Sequence, residues 1–383
     1  KVAAIGTNLT YRWYENQGSG FVPLSNSSQY DGVYTPTLTL TTAHPGLNGF
    51  QYQCQITTGS SCTPTVVTTN NATLTVIAAP STFGIAPSLS VCSGSNTSMS
   101  VSASGAGLVY QWQLNSGSGF SNLSNGGVYS GVTTSTLDIT GALVSMNGFS
   151  YRCVVSGTCS PSATTNASIL TVHTLPVVNS HPSAVTTCSG SNISFSVSAG
   201  GTLPTYQWQE FNGTVWSNLS NNSTYLNVFT PTLSIAATPA ALNGYQYRCV
   251  VGGLCSPAAL SNPASLTVNT APAYSSHPLS TQVCAGSNSG FSVTATGTAL
   301  TYQWQVSANG GGTWSNLSNT APYSNVTTAS LSITAATAGI NGYRYRCVTS
   351  GTCAPAAISN GAVLTVNNLP AITGQPANAS VCD

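Results

Sequence analysis

The chain has 383 residues and a formal net charge of +1, and 3% of its residues are charged while 41% are hydrophobic. It has no basic field to attract phosphate backbones or anionic lipid, which argues against nucleic acid and charge-driven membrane docking. No apolar run reaches the roughly 18 residues that span a bilayer, so we expect no membrane insertion in this segment. The hydrophobic content favours folded domains with a Ser-, Thr-, Asn- and Gly-rich surface.

A repeated tryptophan and a repeated Tyr-x-Cys motif divide the chain into similar units. Trp112 precedes Tyr151-Arg152-Cys153, and the same features recur about every 97 residues. Units of that length can bury a core of their own. We therefore predict four modules and the start of a fifth: module 1, residues 1–77, with its first strand missing; module 2, residues 78–173; module 3, residues 174–270; module 4, residues 271–367; and residues 368–383.

Short segments of module 2 alternate between apolar and polar residues and are separated by Gly, Asn and Ser clusters. This alternation is typical of strands that bury one face, and no segment of useful length has a helical period. We predict an all-β fold with about seven short strands per module. The clearest predicted strands of module 2 are residues 98–102, 108–112, 135–139, 149–155 and 168–172.

Several short sequence motifs of each module resemble those of a known family, among them Val91-Cys92-Ser93-Gly94 and Tyr110-Gln111-Trp112-Gln113. Each module resembles a bacterial immunoglobulin-like (Ig-like) domain, in particular the repeats of large Bacteroidota surface proteins such as gliding-type adhesins and type IX-secreted proteins. The resemblance implies Ig-like β-sandwich domains arranged head to tail. It also implies that the tryptophan lies in the core on strand C and that Tyr151 forms the tyrosine corner of strand F. The implied core markers are Trp13, Trp112, Trp208, Trp304, Tyr151, Tyr247 and Tyr345.

Each complete module has three cysteines, at the A–B turn, in the middle of strand F and at the F–G turn. Repeated cysteines indicate an oxidising, extracytoplasmic location. In an Ig-like sandwich the two turns lie at opposite ends, roughly 30 Å apart, so a bond between them within one module is disfavoured. Our leading hypothesis joins consecutive modules through Cys92–Cys255 and Cys188–Cys353, with the strand F cysteine as a small buried hydrophobe. The alternatives are hairpin bonds, Cys153–Cys159, Cys249–Cys255 and Cys347–Cys353, or a bond between Cys92 and Cys153.

The sequence offers no set of residues for catalysis, cofactor binding or metal binding. Its five acidic residues occupy non-equivalent positions in the modules, so the repeat places no pair of carboxylates together for general acid–base chemistry. His181 and His277 occupy equivalent positions in modules 3 and 4, but the sequence supplies no further metal ligands to accompany them. We therefore interpret them as loop or edge residues. We therefore expect a protein that is not an enzyme and has no cofactor.

Aromatic residues and arginines also repeat. Arg152, Arg248 and Arg346 should point outward from strand F. Phe21, Phe120, Trp216 and Trp314 share one address near strand C′; burial over the core is favoured there, and the alternative is that Trp216 and Trp314 stack on surface glycans.

Together these features predict the repeat region of a large bacterial cell-surface or extracellular adhesin or fibre, acting as an extended stalk and adhesive surface. Its partners would be further copies of the repeat in the same, longer chain. One alternative is a filament subunit that self-associates into fibres, because so few charges oppose lateral contact. Another is a set of carbohydrate-binding or spacer modules in a secreted enzyme.

Overall fold

A computed structural model describes residues 1–59, 66–368 and 370–381, and they form an all-β structure with four short 3₁₀ turns. Cys62 and Cys382 lie outside the described residues. The chain separates into two compact units, Lys1–Thr174 with modules 1 and 2 and Leu175–Asp383 with modules 3 and 4. Among the described residues, no helix combines the length and apolar character needed to cross a bilayer.

Module 2 has the complete strand set. Its strand F alternates strictly, with Tyr151, Cys153 and Val155 buried and the residues between them partly exposed. Module 1 begins later in the pattern, and its described residues contain only strands that match the C-to-G part of module 2. Its strands are β1 Leu9–Asn16, β2 Phe21–Pro23, β3 Tyr30–Asp31, β4 Thr39–Leu40, β5 Gln51–Thr58, β6 Val66–Thr68 and β7 Ala72–Thr73, with a 3₁₀ turn at Pro45–Leu47. Module 2 has β8 Ser81–Phe83, β9 Ser88–Cys92, β10 Thr97–Ser100, β11 Ser102–Ser104, β12 Val109–Asn115, β13 Phe120–Asn122, β14 Tyr129–Ser130, β15 Thr136–Ile139, β16 Ser150–Ser156, β17 Ala163–Thr164 and β18 Ser168–His173, with a 3₁₀ turn at Val144–Met146.

Modules 3 and 4 repeat this order. In module 3 the strands are β19 Val177–Ser180, β20 Val185–Cys188, β21 Ile193–Ser196, β22 Ser198–Gly200, β23 Thr205–Phe211, β24 Trp216–Asn218, β25 Tyr225–Leu226, β26 Thr232–Ile235, β27 Gln246–Gly252, β28 Ala259–Leu260 and β29 Ala264–Asn269, with a 3₁₀ turn at Ala240–Leu242. In module 4 they are β30 Ala273–Ser276, β31 Thr281–Cys284, β32 Ser289–Ser292, β33 Thr294–Thr296, β34 Thr301–Ser307, β35 Ser315–Asn316, β36 Tyr323–Ser324, β37 Ser330–Ile333, β38 Arg344–Ser350, β39 Ala357–Ile358 and β40 Ala362–Asn367, with a 3₁₀ turn at Ala338–Ile340.

Two sheets face each other in each complete module. In module 2 one sheet has the order β13-β12-β16-β18-β9, and the other has β10-β15-β14 with β11 and β8 paired beside it. In the strand letters used for Ig domains, the first sheet has the order C′-C-F-G-A′ and the second has the order B-E-D, with strand A paired to the continuation of strand B. The A′ strand β9 runs parallel to the G strand β18, whereas the sheet's other pairs are antiparallel. Each complete module has eleven strand segments rather than about seven, because strands A, B and G are each interrupted and a strand C′ is added.

Each module has its own hydrophobic core, and the four clusters share no residue. Trp112, Trp208 and Trp304 are fully buried at the centre of three of them. Each indole Nε1–H donates to a backbone carbonyl, as Trp112 does to Thr134 at 3.0 Å, so the buried polar group is satisfied. Trp13 of module 1 is 7% exposed and belongs to the cluster of that module.

Candidate functional site at the module joint

The most distinctive chemistry of the described structure lies at the joint between modules 3 and 4. A disulfide joins Cys188 to Cys353, with Cα atoms 5.8 Å apart. Cys188 ends the A′ strand β20, where it lies opposite Asn269, the last residue of module 3's G strand. Cys353 lies in the F–G turn of module 4, just after β38. Because G leaves a module where A′ ends, Cys188 lies at the exit of module 3, facing the F–G turn of the next module.

The F–G turn of module 4 is held tightly against the linker. The backbone N–H of Thr352 donates to the carbonyl of Thr298 at 3.0 Å, and Thr298 N–H donates to Thr270 at 3.1 Å. A Cβ on Gly351 would lie 2.8 Å from the Thr298 carbonyl oxygen and 3.2 Å from Pro272 Cγ. Glycine is therefore required for this close approach, and the approach brings Cys353 to the joint.

The hairpin bonds considered from the sequence are not formed in the structure. Cys153, Cys159, Cys249 and Cys347 are free thiols, and Cys353 is bonded to Cys188 instead. The physical reason is orientation: the strand F cysteine points into the core, while the F–G cysteine lies at the end of the module. Cys153 is a free thiol, so it forms no bond with Cys92 either. The pair Cys92–Cys255 occupies the addresses of Cys188–Cys353 one module earlier and stays a prediction.

The strand F cysteines behave as small core residues. Cys54, Cys153, Cys249 and Cys347 have no exposed surface. Burial raises the pKa of Cys153 and of Cys249 to about 11 each, because the thiolate would lose its hydration. The position on strand B that would hold a partner cysteine in antibody-type domains is Val101, which is buried.

A repeated polar ladder covers the outer face of the C′-C-F-G-A′ sheet in modules 2, 3 and 4. In module 2 the Nε–H of Arg152 donates to Gln113 Oε1 at 2.8 Å, and Gln113 Nε2–H donates to Asn122 Oδ1 at 2.8 Å. The Arg152 guanidinium also lies 4.0 Å from the centroid of the Phe120 ring. The equivalent ladders are Trp216–Arg248–Gln209–Asn218 and Trp314–Arg346–Gln305–Asn316.

The expectation that Trp216 and Trp314 are buried over the core is wrong. Both lie on the outer face and are partly exposed. Trp216 is the register partner of Phe211, an outward-facing residue of β23, so it must face outward as well. Guanidinium groups lie 4.1 Å from the Trp216 centroid and 4.3 Å from the Trp314 centroid. A sugar ring that stacked on that face would first have to displace the arginine.

The strand F tyrosine makes a side-chain pair. Tyr151 Oη lies 3.0 Å from Tyr129 Oη on strand D, rather than bonding the backbone as a tyrosine corner does. Tyr345 and Tyr323 repeat this at 3.0 Å. In module 3 a carboxylate joins the pair: Tyr225 Oη–H donates to Glu210 Oε2 at 2.5 Å. In module 1 the same inward carboxylate is Glu15, which accepts from both Tyr30 and Tyr52.

The two repeated histidines accept hydrogen bonds from backbone N–H groups. His181 Nδ1 accepts the N–H of Asn262 at 3.1 Å, and His277 Nδ1 accepts that of Asn360 at 3.3 Å. Within the described ranges no group of three His, Cys, Asp or Glu side chains could hold a metal ion.

Sequence reasoning missed the glutamines and asparagines of the outer ladder. Gln113, Gln209 and Gln305 each join an arginine to an asparagine through one amide. The repeated Gln-Trp-Gln triplet could have indicated this ladder. Its second glutamine lies on strand C and points to the same face of the sheet as the arginine on strand F, so the two side chains can meet.

Comparisons with known proteins bear on the fold alone. Residues 275–368 match the model of a family described as a domain of unknown function, DUF8696. No curated protein matches the chain. Among solved structures, the I-band fragment I67-I69 from titin matches with a TM-score of 0.59 at 16% identity, covering 76% of this chain and 100% of that one. Sidekick-1 immunoglobulin domains 1-5 match with a TM-score of 0.42 at 19% identity, covering 94% of this chain and 74% of that one. The chain is a tandem array of Ig-like β-sandwich domains.

Proposed function

We propose that this chain is a non-enzymatic repeat region of a large bacterial cell-surface or extracellular adhesin or fibre, acting as a stalk that also offers an adhesive surface. The proposal agrees with the tandem Ig-like fold. A disulfide supports a location outside the cytoplasm, because reducing conditions disfavour such bonds inside cells.

The Cys188–Cys353 bond is the observation that carries the proposal. It adds little to either core, since it joins two modules that each have their own. Its main effect falls on the joint, where a second covalent connection beside the peptide linker restricts bending and twisting. A stalk needs such joints, because its reach depends on how well consecutive modules hold their direction.

The surface composition supports the same function. With 3% charged residues in the chain, exposed strands and ladders present mainly amide and hydroxyl groups. Little like-charge repulsion would oppose contacts with neighbouring chains or with other neutral surfaces. Adhesion would then rest on many hydrogen bonds spread over repeated modules, each weak by itself.

The experiment measures the joint between modules 3 and 4. Spin-labelled noncanonical residues at the exposed positions Phe229 and Leu279 report the distance distribution between the two modules. We expect a narrow distribution in the oxidised chain and a broader one in the Cys188→Ser/Cys353→Ser variant. The matched control is Cys284→Ser, which removes an exposed free thiol and should leave the distribution narrow. Equal widths in all three proteins would remove the support that the disulfide gives to a stalk.

The carbohydrate-binding alternative predicts that Trp216 and Trp314 bind sugar. The arginine over each ring disfavours it, since stacking would have to replace a cation–π contact and expose the guanidinium.

A further inference from the structure

The charges of module 4 are unbalanced, unlike those of module 3. Module 4 contains Arg344 and Arg346 and no lysine, aspartate or glutamate, whereas module 3 contains Arg248 and Glu210. The two arginines of module 4 are separated by one residue on β38, and the burial of Tyr345 between them places both on the outer face of the sheet. In a chain with 3% charged residues, this pair of cations is a local feature that an anionic partner can recognise.

The guanidinium group of Arg346 is held in a fixed plane. Its carbon lies 4.3 Å from the centroid of the Trp314 ring, and its Nε–H donates to Gln305 Oε1 at 2.8 Å. The first contact uses the flat face of the group and the second uses one N–H at its edge. Among the described residues, no acceptor takes the N–H donors of its terminal Nη groups. Those donors are therefore available to a partner that approaches along the plane.

Arg344 lies beside the same ring. A Cβ on Gly311 would lie 3.8 Å from Arg344 Cδ and 3.8 Å from Trp314 Cζ2, so both side chains pack over the backbone of that glycine. Arg344 is exposed and forms no hydrogen bond with any part of the chain that the structure describes. We call Arg344, Arg346 and Trp314 the arginine patch. Module 3 has Gln246 at the position of Arg344, so it lacks the second guanidinium group.

We propose that the arginine patch binds the carboxylate of an acidic sugar in a polysaccharide, with that carboxylate held between the two guanidinium groups. A guanidinium group presents a planar fork of N–H donors that matches the two oxygens of a carboxylate. Thr313 and Asn316, on either side of Trp314 in the sequence, are exposed and offer hydroxyl and amide groups to the sugar hydroxyls.

The place of the patch in the sheet favours a polysaccharide over an acidic peptide. An extended peptide binds a sheet by adding to a free backbone edge. β38 has β34 on one side and β40 on the other, so it offers no such edge, and the arginines can be reached only from the face of the sheet. A lipid surface is disfavoured as well, because anionic membranes bind clusters of several basic residues rather than a pair.

This mode of binding leaves the contact between Arg346 and Trp314 in place. The carboxylate reaches the edges of the guanidinium groups, whereas a neutral sugar stacked on the indole would have to displace the arginine. The inference goes beyond the stalk and its neutral adhesive surface, because it adds a charge-selective site. It rests on the side chains of module 4 alone, so its failure would leave the stalk function unaffected.

The test is affinity electrophoresis of the full chain through native gels that contain polygalacturonate. The mobility of each protein is divided by its mobility in a gel without polymer, which corrects for the changed charge of a variant. Polygalacturonate with methyl-esterified carboxyl groups presents the same sugar without the charge. Polyglutamate presents carboxylates on a peptide backbone.

Three variants separate the patch from net charge. Arg344→Gln gives module 4 the residue that module 3 has at this position, and Arg344→Lys keeps the charge but removes the planar fork. Arg12→Gln is the matched control, because it removes an exposed arginine from strand C of module 1, where the other modules have glutamine. Arg344 and Arg12 both lie outside the buried cores, so these variants should fold.

We expect polygalacturonate to retard the unmodified chain and its methyl ester to leave the mobility unchanged. Arg344→Gln should weaken binding about fivefold and Arg344→Lys about twofold, while Arg12→Gln should bind as the unmodified chain does. Raising the salt from about 20 mM to about 300 mM should release the polymer.

Four results would overturn the proposal. The first is no retardation of the unmodified chain, and the second is equal retardation by the methyl ester. The third is an equal loss of binding in Arg12→Gln and Arg344→Gln, which would assign the effect to net charge. The fourth is binding to polyglutamate as strong as that to polygalacturonate, which would show that the patch recognises carboxylates on a peptide as well as on a sugar.

Discussion

Trp112 and Cys153 are register partners in the central strand pair of module 2, and both are fully buried. The same opposition joins Trp208 to Cys249 in module 3. The thiol fills the space beside the indole, and its Sγ–H points to the carbonyl of its own chain neighbour at 3.7 Å in Cys249. The strand F cysteine is therefore a packing residue, which explains why the described disulfide bypasses it.

This burial predicts a sharp division of thiol reactivity. Iodoacetamide at about pH 8 should modify Cys159 and Cys284 within minutes and leave Cys153 and Cys249 untouched. The buried thiols have a pKa of about 11, so about one in a thousand would be ionised even if the reagent could reach them. Peptide mapping by mass spectrometry measures the modification site by site, and the same reaction in denaturant is the control. Rapid native modification of Cys153 would contradict the packing role.

The raised thiol pKa also predicts a loss of stability in alkali. Below the ordinary value of 9.0 for Cys249, folded and unfolded states both keep the proton, so the contribution to stability is fully present. As the pH rises from 9.0 towards about 11, the unfolded state ionises first, and the free energy of unfolding falls. Urea denaturation of module 3, followed at several pH values in this window, should show that fall. Cys249→Ala should be less stable at neutral pH but lose less stability with rising pH; an unchanged slope would assign the effect to the tyrosines.

The strands could be predicted from the sequence, but the direction of some side chains could not. Alternation identifies strands C, E, F and G because one face of each is apolar, and the repeat assigns equivalent addresses. The face on which Trp216 lies depends instead on the register Phe211–Trp216, which the C–C′ turn sets. A slip by one residue would move the indole to the core side, so composition alone could not decide. The Tyr129–Tyr151 contact could not be predicted either, because it depends on where strand D lies relative to strand F.

The arginine ladder predicts a modest, local contribution to stability. Arg346→Ala removes the contact with the Trp314 ring and the hydrogen bond to Gln305, and should lower the free energy of unfolding of module 4 by about 1 kcal/mol. Arg344→Ala is the matched control, because it removes an exposed arginine from the same strand. Calorimetry at low and high salt measures both. A larger loss for Arg344→Ala would contradict the assignment.

The same ladder makes a prediction about glycans. If Trp314 packs only against Arg346, then Trp314→Ala should leave any binding to neutral polysaccharides unchanged within error on an insoluble-polysaccharide pull-down. If sugar stacks on the indole, Trp314→Ala should abolish binding, and Arg346→Ala, which uncovers the ring, should strengthen it. The pair of variants separates a structural role from a binding role, because only the binding role predicts that binding changes when the ring is removed or uncovered.

Separate cores predict that damage to one module stays in that module. Trp208→Ala removes the largest side chain of module 3's core and should cost about 3–5 kcal/mol there. Trp208→Phe keeps most of the volume but leaves the Thr230 carbonyl, 3.0 Å from the indole Nε1, without its donor, and should cost about 1–3 kcal/mol. Amide hydrogen exchange read by mass spectrometry locates the effect. Protection should fall at β23 and β27 and persist at β34 and β38, which surround the separate core of module 4. An equal loss of protection in module 4 would show that the two modules fold as one unit and that the disulfide joins parts of a single domain.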